Sequence, residues 1–149
     1  MVADVVGEAV FSVHRQRPRS VSVSTYLLIG AGGFLGANVR YAVSLWAVRR
    51  YGAAFPVGTL IANVAGALLI GFVLGWSTGL LHDADVRLVL VTGFLGAETT
   101  FSTFSYETVA LLRQEGWRRA ARNVLLTTGP GLLGAGLGLL IGQALTRLD

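Results

Sequence analysis

The charged residues of this chain occur in short groups, separated by three long segments that contain none. The uncharged segments run from Ser20 to Val39, from Tyr51 to Leu81 and from Asn123 to Thr146. A helix of about 20 apolar residues crosses the hydrocarbon core of a bilayer, so each segment is long enough to span a membrane. The pattern predicts an all-α membrane protein.

A fourth predicted span lies between positions 87 and 112, although Glu98 and Glu107 interrupt its apolar pattern. The four spans are expected near 24–46, 57–80, 87–112 and 121–144. Residues 1–23 are polar and mixed, so we expect a flexible N-terminal tail before a four-helix membrane domain over 24–146.

Composition supports the membrane interpretation and narrows the function classes. Of 149 residues, 53% are hydrophobic and 13% are charged, and mean hydropathy is +0.63. Cysteine is absent and both histidines lie outside the predicted spans, which excludes thiolate metal sites and argues against a histidine cluster. No nucleophile–base pair appears, so we expect no enzyme. All twelve basic residues are arginine, which together with abundant Ala, Gly and Val favours a bacterial source.

The arginines are almost evenly divided between the two sides of the predicted membrane domain. With Arg40 left out, five lie on the side of the termini and the middle loop, and six lie on the other side. Arginines that flank spans usually set topology, so the net charge of +4 is no argument for nucleic acid. A near-balanced count permits insertion in both orientations and pairing of opposite copies. The alternative is that arginines in the tail count little and the loops decide.

The third predicted span contains a polar run from Gly93 to Ser105, rich in glycine, serine and threonine. Lipid offers no partners to hydroxyl and backbone groups, so this run is expected to face protein, water or an ion. Gly93 and Gly96 precede Thr99, and a helix break there would free carbonyls for a small cation. The alternative is a kink whose hydroxyls bond to the preceding turn.

Two aromatic residues follow this predicted break. Phe101 and Phe104 are three positions apart and share a helix face, alternating with Ser102, Thr103 and Ser105. Core packing is the usual role of phenylalanine. The positive edge of an aromatic ring also attracts an anion weakly, which suits a conduction site that must bind without trapping.

Further polar residues lie within the predicted spans. Asn63 shares a face with Thr59 in the second span, and it either bridges helices or offers its amide donors to an anion. Asn123 and Thr127 share a face in the fourth span, as a polar track for an ion or as a helix–helix contact. Arg40, near the end of the first span, either extends to the interface or draws anions to a vestibule.

Small residues recur every four positions in three of the spans. This spacing forms a smooth stripe on a helix and lets two backbones approach closely in lipid, so we expect packing surfaces. The members of these stripes are Gly32 and Gly36; Ala67, Gly71, Gly75 and Gly79; and Gly134, Gly138 and Gly142.

Three runs, in this order, resemble the motifs of the CrcB/Fluc family of fluoride channels. They cover residues 32–41, residues 55–66 and the polar run Gly93–Ser105. The resemblance extends over about residues 26–144. It implies passive fluoride export across a bacterial cell membrane by a multi-pass protein whose third helix is broken.

The resemblance also implies an antiparallel, dual-topology dimer with two fluoride pores, formed with an identical chain or with a paralogous subunit. A structural sodium ion, which is not transported, would be held by the main-chain carbonyls of Gly96 and Thr99. The residues implied for the pore are Asn63, Phe101, Thr103, Phe104 and Thr127.

The chain departs from the family pattern at two places. Glu98 follows Ala97 where small or apolar residues are expected, and a carboxylate lining the pore would repel fluoride. We hypothesise that Glu98 lies off the conduction path; it would face a vestibule, be protonated, or pair with an arginine such as Arg40. Gly131 lies one turn after Thr127, where the polar track would otherwise continue with a hydroxyl.

Two other functions remain open at this point. One is a small proton-coupled multidrug exporter, which has a similar size and would use Glu98 as its essential acid. Such exporters carry that acid in the first span, and the first predicted span of this chain contains no acidic residue. A membrane assembly protein without transport activity would fit the glycine stripes, but it would leave the polar third span unexplained.

Overall fold

A computed structural model describes residues 22–76, 78, 81 and 83–148, and these residues are almost entirely helical, without a strand. Residues 1–21 of the predicted tail lie outside the described residues, as do positions 77, 79 and 80 of the second predicted span. The helical elements in chain order are α1 (Val23–Tyr51), α2 (Val57–Gly75), α3 (Ala84–Arg87), a π-helical segment (Leu88–Leu95), α4 (Gly96–Glu98), α5 (Phe101–Glu115) and α6 (Trp117–Thr146).

Local sequence signals explain where the long helices begin and end. The Ser22 side chain accepts a hydrogen bond from the Thr25 N–H and caps the start of α1. Gly52 ends α1 with φ +80°, and Gly116 separates α5 from α6 with φ +89°. Glycine adopts this left-handed conformation without the steric cost that other residues meet, so both turns can be tight.

The tightest packing in the described chain joins α2 to α6 along their glycine stripes. A Cβ added at Gly71 would collide with the Ala135 carbonyl oxygen, and one at Gly138 with that of Leu68. A Cβ added at Gly75 or Gly142 would also collide with a carbonyl oxygen of the opposite helix, at a slightly longer distance. The predicted packing role of these glycines is therefore confirmed, while Gly79 lies outside the described residues.

A second glycine contact joins α1 to the π-helical segment. A Cβ at Gly36 would collide with the Phe94 carbonyl oxygen, and one at Gly32 would lie 3.1 Å from that of Val89. From the other side, a Cβ at Gly93 would lie 2.8 Å from the Ile29 carbonyl oxygen. These contacts place the third predicted span against α1.

By length and composition, α2 and α6 qualify as membrane-spanning helices among the described residues. The other two predicted spans remain predictions: α1 does not meet this test, and the third span is divided into shorter helical elements. Large apolar side chains cover the outside of the chain; on α6 they include Leu125, Leu132 and Leu133. Soluble monomers rarely expose apolar surface on this scale, so the outer face suits lipid or another chain.

Candidate functional site

The third predicted span is interrupted in its middle by two residues that are not helical. The chain leaves helical geometry after Glu98, because Thr99 has ψ 156° and Thr100 has φ −152° and ψ 119°. Helical geometry resumes at Phe101, where the Thr100 hydroxyl accepts the Thr103 N–H at 3.2 Å. Threonine is a favoured helix-capping residue, so the sequence itself supplies a start signal for α5.

Asn63 of α2 binds both main-chain polar groups of Thr100. Its Oδ1 accepts the Thr100 N–H at 2.8 Å, and its Nδ2 donates to the Thr100 carbonyl at 3.1 Å. Buried backbone groups that leave a helix must find other partners, and this one side chain satisfies two of them. The bridging role considered for Asn63 is therefore observed. These two bonds use one of the two Nδ2 hydrogens and leave the other for a further acceptor.

Arg40 of α1 contacts the same region from the other side. Its Nε donates to the Ala97 carbonyl at 3.0 Å, so its guanidinium lies beside the end of α4. A charged donor makes this one of the stronger kinds of hydrogen bond in the site. This bond to the main chain of the third span was not among the roles expected for Arg40, and those two roles stay predictions.

Two carbonyls of the interruption lack the partners that an unbroken helix would give them. In an α-helix the N–H of Thr100 would bond the Gly96 carbonyl, and that of Thr103 would bond the Thr99 carbonyl. Here these N–H groups bond Asn63 and the Thr100 side chain instead. The carbonyls of Gly96 and Thr99 are the pair that the family resemblance assigns to sodium, and such carbonyls suit a hard cation.

Glu98 is packed into the protein beside the interruption and is only 6% exposed. Gly66 of α2 makes room for it, because a Cβ at Gly66 would lie 2.6 Å from Glu98 Oε2 and would collide with the Thr99 methyl group. Oε2 is buried and has no hydrogen-bond partner within the described chain. Arg40 lies near this carboxyl group, since its Nε bonds the carbonyl of the preceding residue, Ala97.

Polar contacts continue along the third span beyond the interruption. Thr59 donates its hydroxyl to Glu107 Oε1 at 2.8 Å. On the α6 side, Asn123 donates to the Thr108 hydroxyl at 2.8 Å, and Thr108 donates to the Phe104 carbonyl at 2.7 Å. Asn123 is 1% exposed, so this relay lies in the interior.

The predicted pore residues fall into two environments. Phe101 is 80% exposed on the outside of this chain, and its ring centre lies 5.9 Å from that of the half-buried Phe104. The two rings therefore share a face, as predicted. Thr103 is half-buried and bonded to the Thr100 hydroxyl. Thr127 is buried on α6, and its hydroxyl finds no partner among the residues that the structure describes.

Sequence reasoning missed several contacts that build the site. Glu107 was noted only as an interruption of the apolar pattern, whereas it accepts from Thr59 and borders a cavity of about 230 Å³ beneath the α1–α2 connection. The close approach of Gly66 to Glu98 was also not foreseen. The i, i+4 spacing of Thr59 and Asn63 was the available signal, because both contact the third span.

Comparison with known proteins identifies a family for this chain. The profile of a family described as CrcB-like protein, Camphor Resistance (CrcB), matches residues 27–139. A protein of Clostridium perfringens named fluoride-specific ion channel FluC is 46% identical over 123 residues, which are 82% of this chain and 93% of that protein.

Proteins of the same name from two other bacteria are similarly related. The one from a Roseiflexus species is 46% identical over 80% of this chain and 97% of its own length. The one from Chloroflexus aurantiacus is 43% identical over 81% of this chain and 97% of its own length.

Proposed function

This chain belongs to the CrcB-like protein family, and we propose that it is a fluoride-selective ion channel rather than an enzyme. The relatives at 43–46% identity carry the name of fluoride-specific channels and align over nearly their whole length. The observation that carries the proposal is the interruption at Thr99 and Thr100, followed directly by the paired rings of Phe101 and Phe104. Passive flow through such a channel would lower fluoride in the cytoplasm.

Fluoride requires donors that replace its water without holding it too firmly. Asn63 retains one amide hydrogen, and Thr127 has a buried hydroxyl without a partner in the described structure. The ring edges of Phe101 and Phe104 add weak positive potential, and Thr103 adds a hydroxyl one turn into α5. Conduction requires this kind of weak, repeated binding, whereas a full cationic site would trap the ion.

Glu98 lies off the conduction path in this proposal. Its side chain packs against Gly66 and is 6% exposed, whereas the Phe101 ring is 80% exposed. Arg40 supplies positive charge nearby, since its guanidinium bonds the carbonyl of the neighbouring Ala97. The pair would therefore tune the potential beside a vestibule without contacting fluoride. The alternative of a multidrug exporter that depends on Glu98 is not supported by the family assignment.

A structural sodium ion is part of the proposal. The carbonyls of Gly96 and Thr99 would hold it, because the N–H groups that would otherwise bond them are engaged elsewhere. A hard cation takes oxygen ligands and favours such unwound main chain. Bound sodium would fix the interruption in one conformation, and the ion would not be transported.

The working unit proposed here is an antiparallel dimer of two copies in the bacterial inner membrane. Two carbonyls are few for one cation, so a second copy would complete the site across the exposed face of Phe101. The near-balanced arginines fit insertion in both orientations, with the interruption forming the break in the third of four spans. A paralogous subunit is the other candidate partner.

The test is ion efflux from liposomes that contain the purified full-length chain and are loaded with fluoride and chloride. Ion-selective electrodes should record rapid fluoride loss while chloride stays inside. Phe104→Ala should reduce fluoride efflux at least tenfold, a change of about 1.4 kcal/mol in the barrier. Phe72→Ala is the matched control, because Phe72 lies on α2 and pairs with Trp76. Chloride loss at a similar rate, or no fluoride loss from folded protein, would contradict the proposal.

A further inference from the structure

We infer that Asn63 is a positioning residue for the sodium site, because it captures the Thr100 N–H and thereby leaves the Gly96 carbonyl for the cation. This inference deepens the proposed function and rests on its sodium site. It concerns a side chain on α2 that is itself no ligand of sodium in the proposal.

The first step concerns what the interruption would become without Asn63. The N–H of residue 100 and the carbonyl of residue 96 are natural partners in an α-helix. Thr100 has this N–H directed to Asn63 Oδ1 at 2.8 Å. If that acceptor is removed, the N–H becomes a part-buried donor that has lost its partner, which is unfavourable. Closing onto the Gly96 carbonyl recovers the bond and removes that oxygen from the cation.

The second step is that the neighbouring main-chain groups are satisfied in the same way. The Thr100 hydroxyl takes the Thr103 N–H, which an unbroken helix would direct to the Thr99 carbonyl. Arg40 takes the Ala97 carbonyl, and Asn63 takes the Thr100 carbonyl. Side chains thus occupy the groups around the two proposed ligands and take from those two carbonyls the N–H partners that an unbroken helix would supply.

The third step is that α2 holds Asn63 firmly in register with the interruption. One turn before it, Thr59 is 6% exposed and bonds Glu107. Three residues after it, Gly66 touches Thr99 and Glu98. Contacts on both sides of Asn63 along α2 therefore hold this helix against the third span, and its two hydrogen bonds have a defined geometry.

These contacts predict which variants should weaken sodium binding and which should not. Asn63→Leu removes the acceptor for the Thr100 N–H, whereas Asn63→Asp keeps an acceptor oxygen there. Thr100→Val acts on the other ligand, since it releases the Thr103 N–H to the Thr99 carbonyl. Ser102→Ala is the matched control, because the Ser102 hydroxyl contacts the Thr100 hydroxyl at 3.2 Å but takes no main-chain donor of the interruption.

The experiment is equilibrium binding of radioactive sodium to the purified full-length protein in detergent, in fluoride-free buffer with a large organic cation as the replacement ion. We expect Asn63→Leu and Thr100→Val each to weaken sodium binding at least tenfold, or about 1.4 kcal/mol. Asn63→Asp should bind at least one-third as tightly as the unchanged protein, and Ser102→Ala should match it. Circular dichroism and size-exclusion chromatography establish that each variant is folded and assembled.

The inference is overturned if folded Asn63→Leu protein binds sodium as tightly as the unchanged protein, or if Ser102→Ala weakens binding equally. If Asn63→Leu does not fold, loss of sodium binding by folded Asn63→Asp protein, which keeps the acceptor for the Thr100 N–H, overturns the same mechanism. Fluoride efflux on the same preparations separates the proposals. Fluoride flux without sodium binding by the unchanged protein would end the sodium inference alone, and sodium binding without flux would end the channel proposal alone.

Discussion

Helix α2 makes two contacts of opposite kinds, and their difference shows how this chain manages polar backbone in an apolar surrounding. Against α6 it uses glycines, so that main chains pack directly with no side chain between them. Against the interrupted third span it uses Asn63, whose amide binds main-chain groups that have left the helix. Direct packing suits backbones already satisfied by their own helices, whereas an unwound backbone needs side-chain partners.

The largest expected effect comes from filling the α2–α6 contact. Gly138→Leu places a Cβ against the Leu68 carbonyl oxygen and 2.8 Å from the Phe72 nitrogen, and neither helix can yield without losing the stripe. We expect a loss of at least about 3 kcal/mol of stability, the upper end for overpacking. Unfolding in mixed micelles with increasing denaturing detergent measures it. Gly136→Leu is the control because nothing lies within 4 Å of a Cβ there; equal destabilisation by both would contradict the assignment.

A smaller loss of stability is expected when the hydrogen bond from Arg40 to the interrupted span is removed. Arg40→Met deletes the charged donor to the Ala97 carbonyl and leaves that carbonyl without its partner. Loss of a hydrogen bond to a charged group costs about 1.5–3 kcal/mol. The same unfolding assay should show this loss for Arg40→Met and little change for Arg49→Met, since Arg49 is exposed in the last turn of α1. Identical stability of the two variants would show that the Arg40–Ala97 hydrogen bond does not stabilise the fold.

The relay between α5 and α6 is expected to contribute less. Asn123→Ala removes the 2.8 Å bond to Thr108, which is neutral and worth about 0.5–1.5 kcal/mol. The unfolding midpoint should fall accordingly. Asn38→Ala should change it less, because the exposed Asn38 donates to the Phe34 carbonyl of its own helix. A larger loss in Asn38→Ala would mean that the interior relay is not a stabilising contact.

The smallest effect on function is expected at Glu98. Glu98→Gln keeps the shape of a side chain that fills the space beside Gly66 and replaces its carboxyl group with an amide. If Glu98 lies off the conduction path, fluoride efflux from liposomes should change by less than tenfold, or about 1.4 kcal/mol in the barrier. Efflux raised tenfold or more would place the carboxyl group on the conduction path and would contradict a purely packing role for Glu98 beside α2.

The helical architecture and the glycine stripes could be predicted from sequence because both depend on local spacing. The interruption was harder, since Gly93 and Gly96 were expected to be its source. In the structure Gly93 serves the close contact with Ile29, while the extended residues are Thr99 and Thr100. Threonine loses side-chain freedom in helices and favours capping positions, which explains this choice.

The partners of the candidate site could not be predicted in the same way. That Asn63 would meet Thr100, and Thr59 would meet Glu107, depends on how α2 is rotated and shifted against the third span. No local pattern determines that register. The sequence could identify Asn63 and Arg40 as polar residues in an apolar surrounding, but not which main-chain atoms they would bind.

A side-chain amide carries an N–H donor and a C=O acceptor, as a peptide group does. Asn63 therefore gives Thr100 of the third span the hydrogen bonds that a neighbouring peptide group of a continuous helix would give. This substitute sits on a rigid helix, and each residue of an α-helix turns about 100° from the last. Inserting or deleting a single residue between Thr59 and Gly66 would swing the amide away from Thr100 or pull the two flanking contacts out of alignment. The length of that eight-residue stretch is therefore as constrained as its composition.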